Sequence, residues 1–166
     1  MSQAILLAGI PAENASLFHR LPMAVGDPAA WIRVDDETTV IARDIEVARI
    51  RQRVDASKVA SPQDFRPDKG LDPDRATATA QSVAEFLKRH SVDRVTVDRS
   101  LPYIFAWHIQ QVGIAIDYDA TLGVVDRRTK TARELECLQA AQATTGKSCV
   151  WRAKRLRTVR RTPRGG

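Results

Sequence analysis

The chain has 166 residues with 43% hydrophobic and 28% charged content, ordinary values for a single folded domain with a buried core. No apolar run reaches the ~20 residues of a membrane span, the apolar start has no basic flank, and Cys137 and Cys149 form no disulfide framework. These features predict a cytoplasmic protein without a membrane partner. The formal charge of +6 points towards nucleic acid, but its distribution does not. Residues 147–166 hold eight Lys or Arg and no acid, which leaves 18 basic against 20 acidic residues in the rest of the chain.

In chain order, Ala4 to Ile10 reads as a strand ended by Pro11, and Glu13 to Leu21 as a short helix with Leu17 and Phe18 inward. Ala30–Val34 and Thr38–Ala42, joined by Asp35-Asp36-Glu37, predict a β-hairpin with a charged turn. Asp44 is a plausible N-cap for a helix over Ile45 to Val54, with Val47, Ile50 and Val54 on one line. Lys58–Ala60 has strand character, and the prolines of Ser61 to Pro73 predict a loop.

Pro73 to His90 carries the strongest helical pattern, with Asp72 as N-cap and Val83, Phe86 and Leu87 as its buried stripe. Arg94–Asp98 reads as a strand, Leu101–Val112 as a helix closed by Gly113, and Ile114–Asp117 as a strand. Thr131–Ala143 predicts a last helix, with Gly146 as its C-cap. One hairpin followed by interleaved strands and helices gives an α/β fold: a mixed β-sheet covered by helices, with a C-terminal helix and a basic tail.

The run from Val83 to His90, continuing through Val92-Asp93-Arg94-Val95-Thr96-Val97-Asp98, resembles the helix and strand of the creatinase/prolidase N-terminal domain. Pro102 to Gly113 and Ile114 to Asp117 are similar to the helix and strand that follow there. Arg128-Thr129-Lys130-Thr131-Ala132-Arg133-Glu134-Leu135 resembles the linker that joins this domain to the catalytic domain of those Xaa-Pro metallopeptidases. The resemblance covers about residues 4–145 by element order. It implies residues 1–127 as the N-terminal-like domain, 128–146 as linker helix and 147–166 as a tail without fixed structure, or an out-of-frame translation. Reading the DNA beyond residue 146 in the other frames tests the last point.

The resemblance further implies a non-catalytic domain that shapes access to an active site and builds a homodimer. Peptide substrate would be handled only with a catalytic domain. The parent reaction uses two divalent metals (Mn, Co or Zn), whose two Asp, one His and two Glu have no counterpart here, so no catalytic, cofactor-binding or metal residue is assigned. Leu17-Phe18-His19-Arg20 opens the stretch that stands where the family has an N-x-x-Y-L-T-G-F segment, with Arg20-Leu21-Pro22 in place of its Leu-Thr-Gly turn, and His19 and Arg20 are the candidate access or interface residues.

Other signals have plainer explanations. Ala141 to Ser148 matches a relaxed phosphate loop, but a helix precedes it and the glycines are missing. His90 reads as a helix-end cation and His108 as a structural residue; neither has a partner at metal spacing. Asp117-Tyr118-Asp119 reads as an acidic turn after a strand, and an enzyme built around Asp98 and Asp117 is the weakest reading. The alternative to the peptidase-domain reading is a free-standing module that puts Trp151, Arg152, Arg155 and Arg157 on nucleic acid or an anionic surface.

Overall fold

The computed structural model describes residues 2–159, with side chains placed over residues 3–149. The chain folds as two compact units, Met1–Arg127 and Arg128–Gly166.

The first unit holds one six-stranded sheet. Its strands are β1 (Ser2–Gly9), β2 (Ala29–Val34), β3 (Glu37–Ile41), β4 (Lys58–Ala60), β5 (Val92–Val97) and β6 (Ala115–Tyr118), ordered β4-β3-β2-β1-β5-β6. The β1–β2 and β2–β3 pairs are antiparallel; β3–β4, β1–β5 and β5–β6 are parallel. The sheet is therefore mixed, as expected from a hairpin followed by crossover helices. The predicted hairpin forms across Asp35, whose φ of 50° is left-handed, a conformation aspartate tolerates.

Alternation along β1 sorts the core onto two faces. Ala4, Leu6 and Ala8 point to the face covered by α3 (Arg75–Arg89) and α4 (Tyr103–Gln111), where they meet Val83, Phe86, Leu87, Phe105 and Ile109. Leu7 points to the other face, towards Leu17 of α1 (Ala15–Arg20), Ile50 of α2 (Asp44–Arg51) and Trp31. Phe86 makes an edge contact with Phe65 at 5.0 Å and stacks on His90 at 4.0 Å. Phe65 closes a 3₁₀ turn, Pro62–Phe65, inside the segment expected to be only loop.

Several expected termini shift for local reasons. Helix α3 starts at Arg75, capped by Asp74, because the Asp74 carboxylate accepts from the Thr77 amide at 2.8 Å. Asp72 instead accepts from the Asp74 amide, so Pro73 lies in the turn before the helix. Helix α2 is capped at Arg43 and stops at Arg51, which puts Asp44 in the first turn, where its charge suits the dipole. Helix α4 begins two residues later than expected, and Gly113 follows it at φ 81°, the left-handed turn foreseen for that glycine. Phe18, expected inward, is 44% exposed; only Leu17 of that pair is in the core.

The second unit contains α5 (Ala132–Val159). Thr131 and Glu134 form a reciprocal cap: the Glu134 amide donates to Thr131 Oγ1 at 3.2 Å and the Thr131 amide to Glu134 Oε2 at 2.8 Å. Gly146 is not a C-cap. The helix runs through it, with Thr144, Thr145 and Ser148 hydroxyls donating to carbonyls four residues back. The helix also extends beyond residue 146, past the end expected from the sequence pattern. Residues 160–166 lie outside the described residues.

Candidate functional site

A cleft of about 280 Å³ lies on the α1 face of the sheet in the first unit. Ile5 and Leu7 of β1 and Trp31 of β2 line it from the sheet, and Leu122 and Val125 from the turn after β6. Four charged side chains join them: Arg20, Arg33, Asp119 and Asp126.

Local structure positions each. Helix α1 is held by Asn14, whose Oδ1 accepts from the Ser16 and Leu17 amides, each at 3.0 Å, while its Nδ2 donates to the Ala8 carbonyl at 3.2 Å. That cap fixes the helix against the end of β1 and delivers Arg20 to the cleft. The Arg20 guanidinium pairs with Asp126 and lies 5.1 Å from the Trp31 ring centre. Arg33, two residues on from Trp31 and so on the same face of β2, approaches that ring at 6.0 Å. Two guanidiniums thus approach one buried indole, a contact favoured by the negative face of the ring. Among the described residues Arg33 has no carboxylate partner.

Asp119 is set by its own turn. Its Oδ1 accepts from the Thr121 hydroxyl and amide, both at 2.7 Å, and these bonds hold its carboxyl below the usual carboxylate range. Gly123 lets the same turn close on α1: with φ 68°, a Cβ there would stand 2.5 Å from the Ser16 Cβ.

Of the two sequence candidates, Arg20 lines the cleft, and His19, half-buried in the last turn of α1, does not. Sequence reasoning missed Trp31, Arg33, Asp119 and Asp126 as a group. The Trp-x-Arg spacing on a strand was the one available local signal, since the Arg20–Asp126 pair spans 106 residues. The side chains of Trp151, Arg152, Arg155 and Arg157 lie outside the described residues.

The remaining candidates are accounted for by structural contacts. His90 bonds the Phe86 carbonyl through Nδ1 at 2.8 Å. Burial pushes the His108 pKa down, against the opposing charge of Asp72. Asp117 pairs with Arg94 at 2.6 Å. Asp98 is buried, with one oxygen accepting from the Ser100 hydroxyl. The Ala141–Ser148 segment lies inside α5, where its amides are engaged in the helix and cannot cradle phosphate. Among the described residues no three His, Cys, Asp or Glu side chains gather to hold a metal ion. The described residues therefore do not fit a two-metal set.

The fold matches an X-Pro aminopeptidase from Thermotoga maritima MSB8, with TM-score 0.66 and 13% identity over 99% of this chain and 42% of that one. It matches the prolidase from Pyrococcus horikoshii OT3 with TM-score 0.63 and 14% identity, over 90% of this chain and 37% of that one. An Xaa-Pro aminopeptidase from Streptococcus thermophilus gives TM-score 0.54 and 10% identity, over 75% of this chain and 84% of that one. No family model and no curated protein matches the sequence. The chain has the α/β fold found in part of Xaa-Pro aminopeptidases and prolidases. It spans roughly two fifths of the Thermotoga and Pyrococcus chains. Among the described residues no helix is long and apolar enough to cross a membrane.

Proposed function

We propose that this chain is a non-catalytic N-terminal domain of the Xaa-Pro metallopeptidase type, serving access to an active site and self-association. The observation that carries the reading is the mixed sheet with its helices, shared with an X-Pro aminopeptidase and a prolidase of which the chain spans only part. Arg20 supports the access role, because it stands at a cleft mouth next to Trp31. Self-association is supported by Tyr103, Trp107 and Tyr118, exposed large aromatics on α4 and the edge strand β6. The test is an assay of Xaa-Pro dipeptides with Mn²⁺ and the chain alone, together with sedimentation equilibrium. The expected result is no turnover and a dimer that Trp107→Glu weakens. Turnover by the chain alone overturns the non-catalytic reading, and a monomer at all concentrations overturns self-association.

A second reading rests on the acid-free segment 147–166 with its eight basic residues. It makes the chain a nucleic-acid or anionic-surface module. Salt-dependent RNA or DNA binding that disappears on deleting residues 147–166 supports it; binding retained by the deletion rejects it.

A further inference from the structure

We infer that the open edge of β6 takes up an extended segment of another protein, paired antiparallel to it, in which apolar residues alternate with Lys or Arg. This concerns backbone groups that the domain reading leaves unused, and it stands without that reading.

The two outer strands of the sheet, β4 and β6, differ. Along a parallel ladder a residue turns its N–H and C=O to the same side, and successive residues alternate. On β4, Ala60 faces inward, since its carbonyl accepts from the Ala42 amide at 3.1 Å, so Val59 faces outward. That outward carbonyl is covered, because Arg51 Nη2 donates to it at 3.0 Å. On β6 the Asp119 amide donates to the Val97 carbonyl at 3.0 Å, so Ala115, Asp117 and Asp119 face β5. Ile116 and Tyr118 therefore turn their backbone groups outward, and among the described residues nothing covers these amides and carbonyls. Such a row is a template for another strand.

Side-chain chemistry selects the strand. Alternation puts Ile116 and Tyr118 on the face covered by α3 and α4, where Ile116 packs on the core and Tyr118 is 64% exposed. Asp117 and Asp119 lie on the other face. Arg94 matches Asp117, but Asp119 has no cation partner among the described residues, and its bonds from Thr121 favour the ionised form. Residues directly opposite in an antiparallel pair share a face. Apolar residues of the incoming strand thus meet Ile116 and Tyr118, and the cations between them meet Asp117 and Asp119.

A second copy of the chain fits this edge less well. Setting Ile116 opposite Tyr118 of the second copy puts the two Asp117 side chains directly opposite each other, with Cα atoms about 4.5 Å apart. Setting Tyr118 opposite Tyr118 puts Asp117 against Asp119. Like charges directly opposite destabilise either register. Setting Ile116 opposite Ile116 brings in Ile114, whose amide already donates to the Ile109 carbonyl at 3.4 Å.

The experiment is fluorescence anisotropy of the full chain with dye-labelled Val-Lys-Val-Lys-Val amide. Replacing both lysines by glutamate should weaken binding by about tenfold or more. Methylating the valine amides, which face β6 in an antiparallel pair, should abolish binding, whereas methylating the lysine amides, which face away, should leave it. Tyr118→Pro removes an outward donor and no ladder bond, at a position where an edge strand tolerates proline. It should bind about tenfold or more weakly with an unchanged urea midpoint, while Tyr118→Thr, which keeps the amide, should bind like the parent. Equal effects of the two methylations overturn the proposal, as do equal binding of the lysine and glutamate peptides, full binding by Tyr118→Pro, or no binding at millimolar concentrations. A dimer that Tyr118→Pro dissociates, with no peptide bound, assigns the edge to a second copy and also overturns it. The methylation pair decides the matter even if Tyr118→Pro does not fold. The readout involves no hydrolysis, so failure here leaves the domain reading untouched.

Discussion

Replacing Gly123 by alanine should destabilise the first unit through two separable effects. The backbone there is left-handed, φ 68°, where a Cβ costs about 1–2 kcal/mol. The new methyl would also meet the Ser16 Cβ at 2.5 Å and its Oγ at 2.6 Å, with the Ser16 backbone behind them at 3.4 Å. Ser16 is buried in the first turn of a helix pinned by Asn14, so it cannot swing aside, and relieving such an overlap costs a further ~1–3 kcal/mol. The sum is about 2–5 kcal/mol, a fall in melting temperature on the order of 4–20 °C for a chain of this size. Urea denaturation of Gly123→Ala, Ser16→Gly and the double variant separates the two effects. In the double variant the overlap is removed and the left-handed strain remains, so the cycle should show a favourable coupling of about 1–3 kcal/mol. A loss below about 0.5 kcal/mol in the single variant, or no coupling, would refute the reasoning that this turn is packed directly on α1.

Three further outcomes can be checked in the same way. Phe86→Ala should cost about 3–5 kcal/mol, because the ring is buried between Phe65, His90 and the sheet; a shift of the urea midpoint much smaller than that would mean that α3 is not the main cover of its face. Asn14→Ala should cost about 1–3 kcal/mol, since it removes a cap on two amides and the donor to the Ala8 carbonyl, whereas Asn14→Asp should retain the capping part only. Hydrogen bonding from Arg43, and then from Arg75, holds the Asp27 carboxyl below its usual pKa. Its stabilising contribution is therefore present above about pH 3.9, the value for the unfolded chain, and fades as the pH falls through the lower folded value. Asp27→Asn should be the less stable form at pH 7 by urea midpoint, with the gap closing in acid; an equal gap at pH 7 and pH 3 would contradict this.

Much of the sheet was legible because its signals are local. The β2–β3 hairpin lies between two short apolar runs, and Val83, Phe86 and Leu87 mark the buried stripe of α3 at helical spacing. What failed were choices between near-equal local options. Asp72 and Asp74 are both good caps, and the winner was decided by which carboxylate reaches the Thr77 amide. Phe18 and Leu17 both look like core residues, but only one can face β1 on a helix of six residues. Gly146 looks like a stop, although a glycine costs a helix only about 1 kcal/mol and the neighbouring residues continue the turn. The cleft was the least legible feature. It is assembled from α1, two strands and the turn after β6, and no sequence window contains Arg20 together with Asp126.

The position of β1 also orders events during synthesis. Its β2 edge can pair once the hairpin has been made, by about residue 41. Its other edge must wait for β5, whose last residue is Val97. At about 5–20 residues per second that interval lasts ~3–11 s. Through it, the apolar run Ile5 to Ala8 has an unpaired flank and, until α3 emerges, one bare face. The strand at the centre of the finished sheet is thus the most aggregation-exposed segment of the growing chain, and a ribosome pause before residue 97 would lengthen that exposure.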